Sequence, residues 1–180
     1  ELPDRKKDRF INEYGLTPYE ANVLVSEKEI SNYYEEVAKK SDKKLAATWI
    51  MGDLFALLND KDIDIIESPI SSKNLSELIN SIKSGEISGR IAKEVFVHMS
   101  ESGDNPKKII ESKGLKQKSD PKELEKIIKD ILEKNKENVD KYKSGKVKIF
   151  GFFVGEVMKV SKGKANPQLV NKILKELLKG

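Results

Sequence analysis

Four of the six prolines in this 180-residue chain stand between a side chain able to cap a helix and an apolar run at helical spacing: Thr17-Pro18, Asn105-Pro106, Asp120-Pro121 and Asn166-Pro167. Proline is at home in the first turn of a helix, where its missing N–H is no loss, and a preceding Thr, Asn or Asp accepts from the amides left free there. In Thr17-Pro18-Tyr19-Glu20 and Asp120-Pro121-Lys122-Glu123 a glutamate follows in the third position and completes a reciprocal box. A chain punctuated this way, with almost nothing that alternates like a strand, predicts an all-α fold.

The apolar spacing fills in the helices between those marks. Ser26-Glu27-Lys28-Glu29 reads as another capped start, with Ile30, Tyr33, Tyr34 and Val37 following. After Ser41-Asp42, the residues Leu45, Trp49, Ile50, Leu54, Leu57 and Leu58 give one helix a wide apolar stripe, in which Trp49 is a core anchor. The Ile63-Asp64-Ile65 alternation is too short for a strand, and Pro69 breaks the pattern before a helix from Ser72 that stops at Gly85. Ser88 caps a helix bearing Ile91, Val95, Phe96 and Met99, with His98 off its buried face; the Asn105-Pro106 helix ends at Gly114. Val139 and Tyr142 mark a short helix closed by Gly145, Lys146 to Val160 form another, and Asn166 caps the last.

A polar stretch at Lys116–Ser119 divides the chain, so the expectation is two small helical domains in tandem: a helical bundle over 1–117 and a three-to-four-helix tail domain over 118–180. Gly151 and Gly155 sit one turn apart inside a helix, where each costs ~1 kcal/mol relative to alanine, and close approach of a neighbouring helix is the expected reason.

Charge separates the two ends. From Gly145 onward eight lysines face two glutamates, a net +6 that leaves −2 on the other 144 residues out of a total of +4. A basic end on a slightly acidic body is the footprint of a polyanion partner, since each lysine beside a phosphate releases a condensed counterion. The string Lys159-Val160-Ser161-Lys162-Gly163-Lys164-Ala165-Asn166-Pro167-Gln168 is its focus: the end of one helix and the start of the next are expected to bring cations and free N–H groups to one corner. Candidate phosphate contacts are Lys146, Lys148, Lys159, Lys162, Lys164 and Lys172, with Asn166 as the cap.

Cysteine is absent, which removes disulfides, thiolate metal sites and a cysteine nucleophile, and points to a reducing compartment; His98 is the only histidine. No apolar run approaches the ~20 residues of a membrane span, and Glu1-Leu2-Pro3-Asp4 lacks the layout of a signal peptide, so the expectation is a soluble, cytoplasmic protein without a membrane partner. A start without Met fits a piece of a longer protein. Arginine is missing from the basic end, where reading of guanine would want it, and DNA is not an expected partner.

Five separated strings resemble one family in order. They are Asp4 to Tyr14 with Gly15-Leu16, Leu45-Ala46-Ala47-Thr48-Trp49-Ile50-Met51-Gly52, Ser88-Gly89-Arg90-Ile91-Ala92-Lys93-Glu94-Val95-Phe96, Gly114-Leu115-Lys116-Gln117, and the closing Gly151-Phe152-Phe153-Val154-Gly155-Glu156-Val157-Met158-Lys159 with Lys162-Gly163-Lys164-Ala165-Asn166-Pro167-Gln168-Leu169-Val170-Asn171. Together they are similar to the carboxy-terminal part of GatB, the B subunit of the glutamine-dependent aminoacyl-tRNA amidotransferase, and more distantly to YqeY proteins. Glu156 stands where the family usually has glutamine, Lys148-Ile149-Phe150 is bulkier than its small residues, and His98 replaces a frequent acid.

The resemblance implies a helical domain followed by a YqeY-like tail that grips the body and outer corner of tRNA(Gln) or tRNA(Asn). In the family's complex, A- and C-type subunits join the GatB chain, and Glu-tRNA(Gln) or Asp-tRNA(Asn) is amidated with ATP and magnesium. That site belongs to a cradle domain outside this chain, so the resemblance implies a non-catalytic segment with no catalytic, metal or cofactor-binding residue of its own. The other readings are a protein-interaction scaffold built on the acidic body and an aromatic cluster of Tyr19, Tyr33 and Tyr34, and a free-standing YqeY-like protein.

Overall fold

The computed structural model describes residues 1–117 and 120–180, and over them the chain is all-α. Two compact units emerge: Glu1–Ser84 with Ala92–Lys113, and Gly85–Ile91 with Gly114–Gly180. Of the divide expected at Lys116–Ser119, Lys118 and Ser119 lie outside the described residues.

The first unit holds α1 (Pro3–Asn12), α2 (Pro18–Leu24), α3 (Lys28–Lys40), α4 (Lys43–Trp49), α5 (Phe55–Lys61), α6 (Ser72–Lys83), most of α7 (Gly89–Ser102) and α8 (Pro106–Ser112). The Thr17–Glu20 box forms as the spacing demands: Thr17 Oγ1 accepts from the Glu20 N–H at 3.2 Å, and the Thr17 N–H donates to Glu20 Oε2 at 2.7 Å. Ser26 does not cap α3. Its Oγ donates to the Val23 carbonyl at 2.7 Å, closing the end of α2, and Glu27 takes the cap position without a side-chain bond. Hydroxyls compete for backbone on either side, and here the nearer carbonyl wins.

The long stripe from Leu45 to Leu58 is one helical path interrupted by a π turn at Ile50–Leu54, where the Phe55 N–H reaches back to the Ile50 carbonyl. Trp49, Ile50, Leu54 and Leu58 are all buried, and Trp49 lies against Phe96 with ring centroids 5.6 Å apart. Ile65–Glu67 is a short 3₁₀ turn boxed by Asp64. His98 is half-buried, with Nδ1 3.7 Å from Glu101 Oε2.

The aromatic cluster differs from the expected one. Tyr34 is fully buried edge-on against Phe10 at 4.9 Å, Tyr14 joins that pair, and Tyr33 donates its hydroxyl to the Ile70 carbonyl at 2.8 Å. Tyr19 is 71% exposed and belongs to no ring cluster. Burial raises the pKa of both Tyr33 and Tyr34, so these rings fill the interior of the unit.

Asp42 caps α4, accepting from the Leu45 N–H at 2.8 Å, with Lys83 Nζ 3.0 Å from its other oxygen. The Leu45 amide first, and the lysine second, hold its carboxyl below the usual carboxylate range. A depressed folded-state pKa means stability that is present above the unfolded value near ~3.9 and lost as pH falls through the folded value. Asp42→Ala is therefore expected to cost about 1 kcal/mol at pH 7. Urea denaturation should show that gap narrowing as the pH is taken below ~3.9, where the carboxyl of the unfolded chain takes up a proton before that of the folded one; an equal gap at every pH would assign the effect to packing.

The second unit contains α9 (Pro121–Lys134), α10 (Lys136–Lys143), α11 (Ile149–Val160) and α12 (Pro167–Leu178), together with the Gly85–Ile91 segment. Leu124, Ile128 and Ile131 of α9, Phe153 and Val157 of α11, and Val170, Ile173, Leu174 and Leu178 of α12 meet in one core, with Ala165 of the connecting loop. Helix α11 begins at Ile149 and not Lys146; residues 146–148 form the turn before it.

Candidate nucleic-acid interface

The corner between α11 and α12 is fixed by its own backbone. At the end of α11, the Lys162 N–H donates to the Lys159 carbonyl at 3.1 Å and the Gly163 N–H to the Met158 carbonyl at 2.8 Å. This is the Schellman closure, and its left-handed position is held by Lys162 at φ +53°, followed by Gly163 at φ +77°. A lysine there carries a backbone cost of ~1 kcal/mol or more that glycine would escape. Ser161 then ties the loop together: its Oγ donates to the Met158 carbonyl and accepts from the Ala165 N–H, both at 3.2 Å.

The free helix-terminal amides expected at this corner are already engaged. Asn166 Oδ1 accepts from the Gln168 N–H at 3.1 Å and the Leu169 N–H at 3.4 Å, the Val170 N–H goes to the Asn166 carbonyl, and Pro167 has no N–H. Asn166 Oδ1 is thus engaged as a cap, and the cations beside it are what the corner adds for an anion.

Gly151 and Gly155 also turn out differently. A methyl group built on either would meet nothing within 4 Å, so no neighbouring helix approaches them. Both lie on the exposed face of α11 together with Lys148, Phe152 and Lys159, a set that recurs at three- and four-residue steps. Lys148 and Lys159 bracket this face across roughly 16 Å, at about 1.5 Å per residue. The two glycines each cost about 1 kcal/mol of helix stability with no compensating contact inside the described chain. Around them Val147, Phe152 and Val160 remain exposed at 67%, 41% and 57%.

Lys146 lies in the turn before α11, Lys162 and Lys164 in the loop after it, and Lys172 on α12; all are exposed except the half-buried Lys164 and Lys172 is on the outer side of its helix. Only Lys148 and Lys159 share a face by register. Among the described residues none of these six lysines has a carboxylate within 4 Å. Elsewhere in the same unit three of the seven lysines of α9 and α10 are paired along their own helices, Lys129 with Glu125 at 2.7 Å, Lys134 with Asp130 at 2.8 Å, and Lys141 with Glu137 at 2.5 Å, while Lys122, Lys126, Lys136 and Lys143 have no carboxylate within 4 Å among the described residues. The net positive charge is concentrated after Gly145, where eight lysines face two glutamates.

Sequence reasoning missed Arg90. It belongs to the Gly85–Ile91 segment of this unit, 73 positions before Gly163, and a methyl built on Gly163 would lie 3.3 Å from its Nη1 and 3.5 Å from its Cδ and Cζ. The sole cue in the chain was its place in one of the strings already noted. Among the described residues no group of three or more His, Asp or Glu side chains is placed to hold a metal ion, and no helix is long and apolar enough to cross a membrane.

Residues 32–178 match the family model described as GatB domain. The B subunit of the aspartyl/glutamyl-tRNA(Asn/Gln) amidotransferase of Pelagibacter ubique (strain HTCC1062) is 56% identical over 182 residues, covering 99% of this chain and 37% of that protein. The corresponding B subunits of Wolbachia pipientis wMel and Granulibacter bethesdensis are 51% and 49% identical over 178 residues, again 99% of this chain and 38% and 37% of theirs. The chain thus spans little more than a third of the length of these curated relatives.

Proposed function

We propose a role that starts from one premise: the chain belongs to the GatB family. Its relatives are B subunits of aspartyl/glutamyl-tRNA(Asn/Gln) amidotransferases. The role is that of the tRNA-binding portion of such a protein, holding the body and outer corner of the tRNA while Glu-tRNA(Gln) or Asp-tRNA(Asn) is amidated elsewhere. In this reading the segment is not itself catalytic, it works beside A- and C-type subunits, and the ATP and magnesium of the reaction are held outside it. Among the described residues the acids form no cluster placed to hold a metal ion, and the amides at the start of α12 are engaged by Asn166.

The observation that carries the reading is the run of lysines 146, 148, 159, 162, 164 and 172, without carboxylate partners among the described residues, on a stretch from Gly145 whose eight lysines face two glutamates. Unpaired ammonium groups on a surface suit a regularly charged backbone, and phosphate contact by lysine sets position without reading sequence. Of the aromatic cluster behind the scaffold alternative, Tyr33 and Tyr34 are committed inside the first unit, and Tyr19 stays exposed. The test is to titrate the 180-residue chain against an unmodified tRNA transcript at stepped salt concentrations. If about half or more of the six lysines touch phosphate, log affinity should fall against log salt with a slope of roughly −3 to −5. A slope near zero would remove the tRNA reading.

A further inference from the structure

We infer that Arg90 is a phosphate-binding residue of the same interface, although it lies far from the basic end in sequence. This rests on the tRNA reading above and extends it to a residue that charge counting along the chain could not reach. Arg90 is exposed, and among the described residues it makes no hydrogen bond and has no carboxylate within 4 Å, so all five guanidinium N–H groups are available. Yet its side chain is not loose. It rests on Gly163, at the distances where any side chain on that residue would crowd its Nη1, Cδ and Cζ.

The surroundings fix both partners of that contact. Gly163 is held by its bond to the Met158 carbonyl, and the Arg90 segment is tied in by the Gln117 N–H, which donates to the Glu86 carbonyl at 2.6 Å. Ser88 Oγ accepts from the Ile91 N–H at 3.2 Å and caps the helix turn that carries Arg90. The consequence is a planar, permanently charged fork lying against the loop of Lys162 and Lys164, with no carboxylate within 4 Å among the described residues. A guanidinium in that state matches phosphate oxygens two at a time, which a lysine cannot do. Its ligand is a phosphodiester of the RNA backbone that the neighbouring lysines attract.

The salt titration of the 180-residue chain with an unmodified tRNA transcript decides this with two variants. Arg90→Gln removes the charge while keeping a polar side chain of similar reach, and should lower the magnitude of the slope by roughly 0.9 with a several-fold loss of affinity near 0.1 M salt. Arg90→Lys should keep the slope within experimental error and weaken affinity by a smaller factor, because the charge stays and the fork is lost. An unchanged slope in Arg90→Gln against a steep wild-type slope would overturn the assignment and leave the tRNA reading standing. A flat wild-type slope would end both. Should Arg90→Gln lose slope and also melt several degrees lower, Arg90→Lys arbitrates: recovery of the slope upholds phosphate contact, and failure to recover it makes Arg90 a support for the loop and overturns the proposal.

Discussion

Replacing Lys159 and Lys164 by alanine and Lys162 by glycine is expected to lower tRNA affinity by about two orders of magnitude near 0.1 M salt, with the slope of log affinity against log salt reduced by roughly two to three units. Each true phosphate contact contributes somewhat under one unit to that slope, so three contacts account for the change without any loss of shape complementarity. Glycine, and not alanine, suits position 162 because of its backbone. Lys162 sits at φ +53° in the closing turn of α11, where glycine is unstrained, so its removal should raise stability by about 1 kcal/mol. The variant thus melts no lower than wild type while binding far more weakly, and a charge effect is separated from a folding effect in one molecule. Equal affinity in the two proteins at every salt concentration would take this loop out of the interface.

The left-handed backbone of Lys162 leaves no mark in the sequence, which has Gly163 beside it as the more obvious candidate for such a position. What could be read was whatever is settled within a few residues. Thr17 and Asn166 cap their helices as anticipated because cap and amide lie two or three positions apart. Asp120 does so through the Lys122 N–H at 3.0 Å. Ser26 was misread because a hydroxyl can bond backward as readily as forward, and the string of letters is the same in both cases. The π turn at Ile50–Leu54 left no mark, since the apolar stripe continues through it with Ile50 and Leu54 both buried.

The glycine pair shows a different limit. Two small residues one turn apart establish that something comes close or that nothing is needed there, and spacing alone does not say on which side of the helix. Phe153 and Val157 are the buried positions of α11, so Gly151 and Gly155, each two residues before one of them, turn outward. Arg90 marks the third limit. Its contact with Gly163 is set by the packing of segments 73 residues apart, and no local pattern carries that information.

Phe153→Ala is expected to cost about 3–5 kcal/mol, the range for emptying a fully buried phenylalanine site. A unit of about 70 residues has roughly 4–10 kcal/mol to lose, so the tail unit should lose about a third of its stability or more. The reporter that makes this testable is Trp49, the only tryptophan, which lies in the first unit between Phe96 and the Lys93 ammonium, 4.6 Å above its ring. Heating the variant should give an early loss of helical circular dichroism, accompanied by loss of tRNA binding, while the fluorescence of Trp49 changes only at the wild-type temperature. That outcome supports a second unit that melts separately from the first, and it ties RNA affinity to that unit. If circular dichroism and Trp49 fluorescence move down together, the chain melts as a single cooperative block, and the proposed boundary near residue 117 has no thermodynamic meaning.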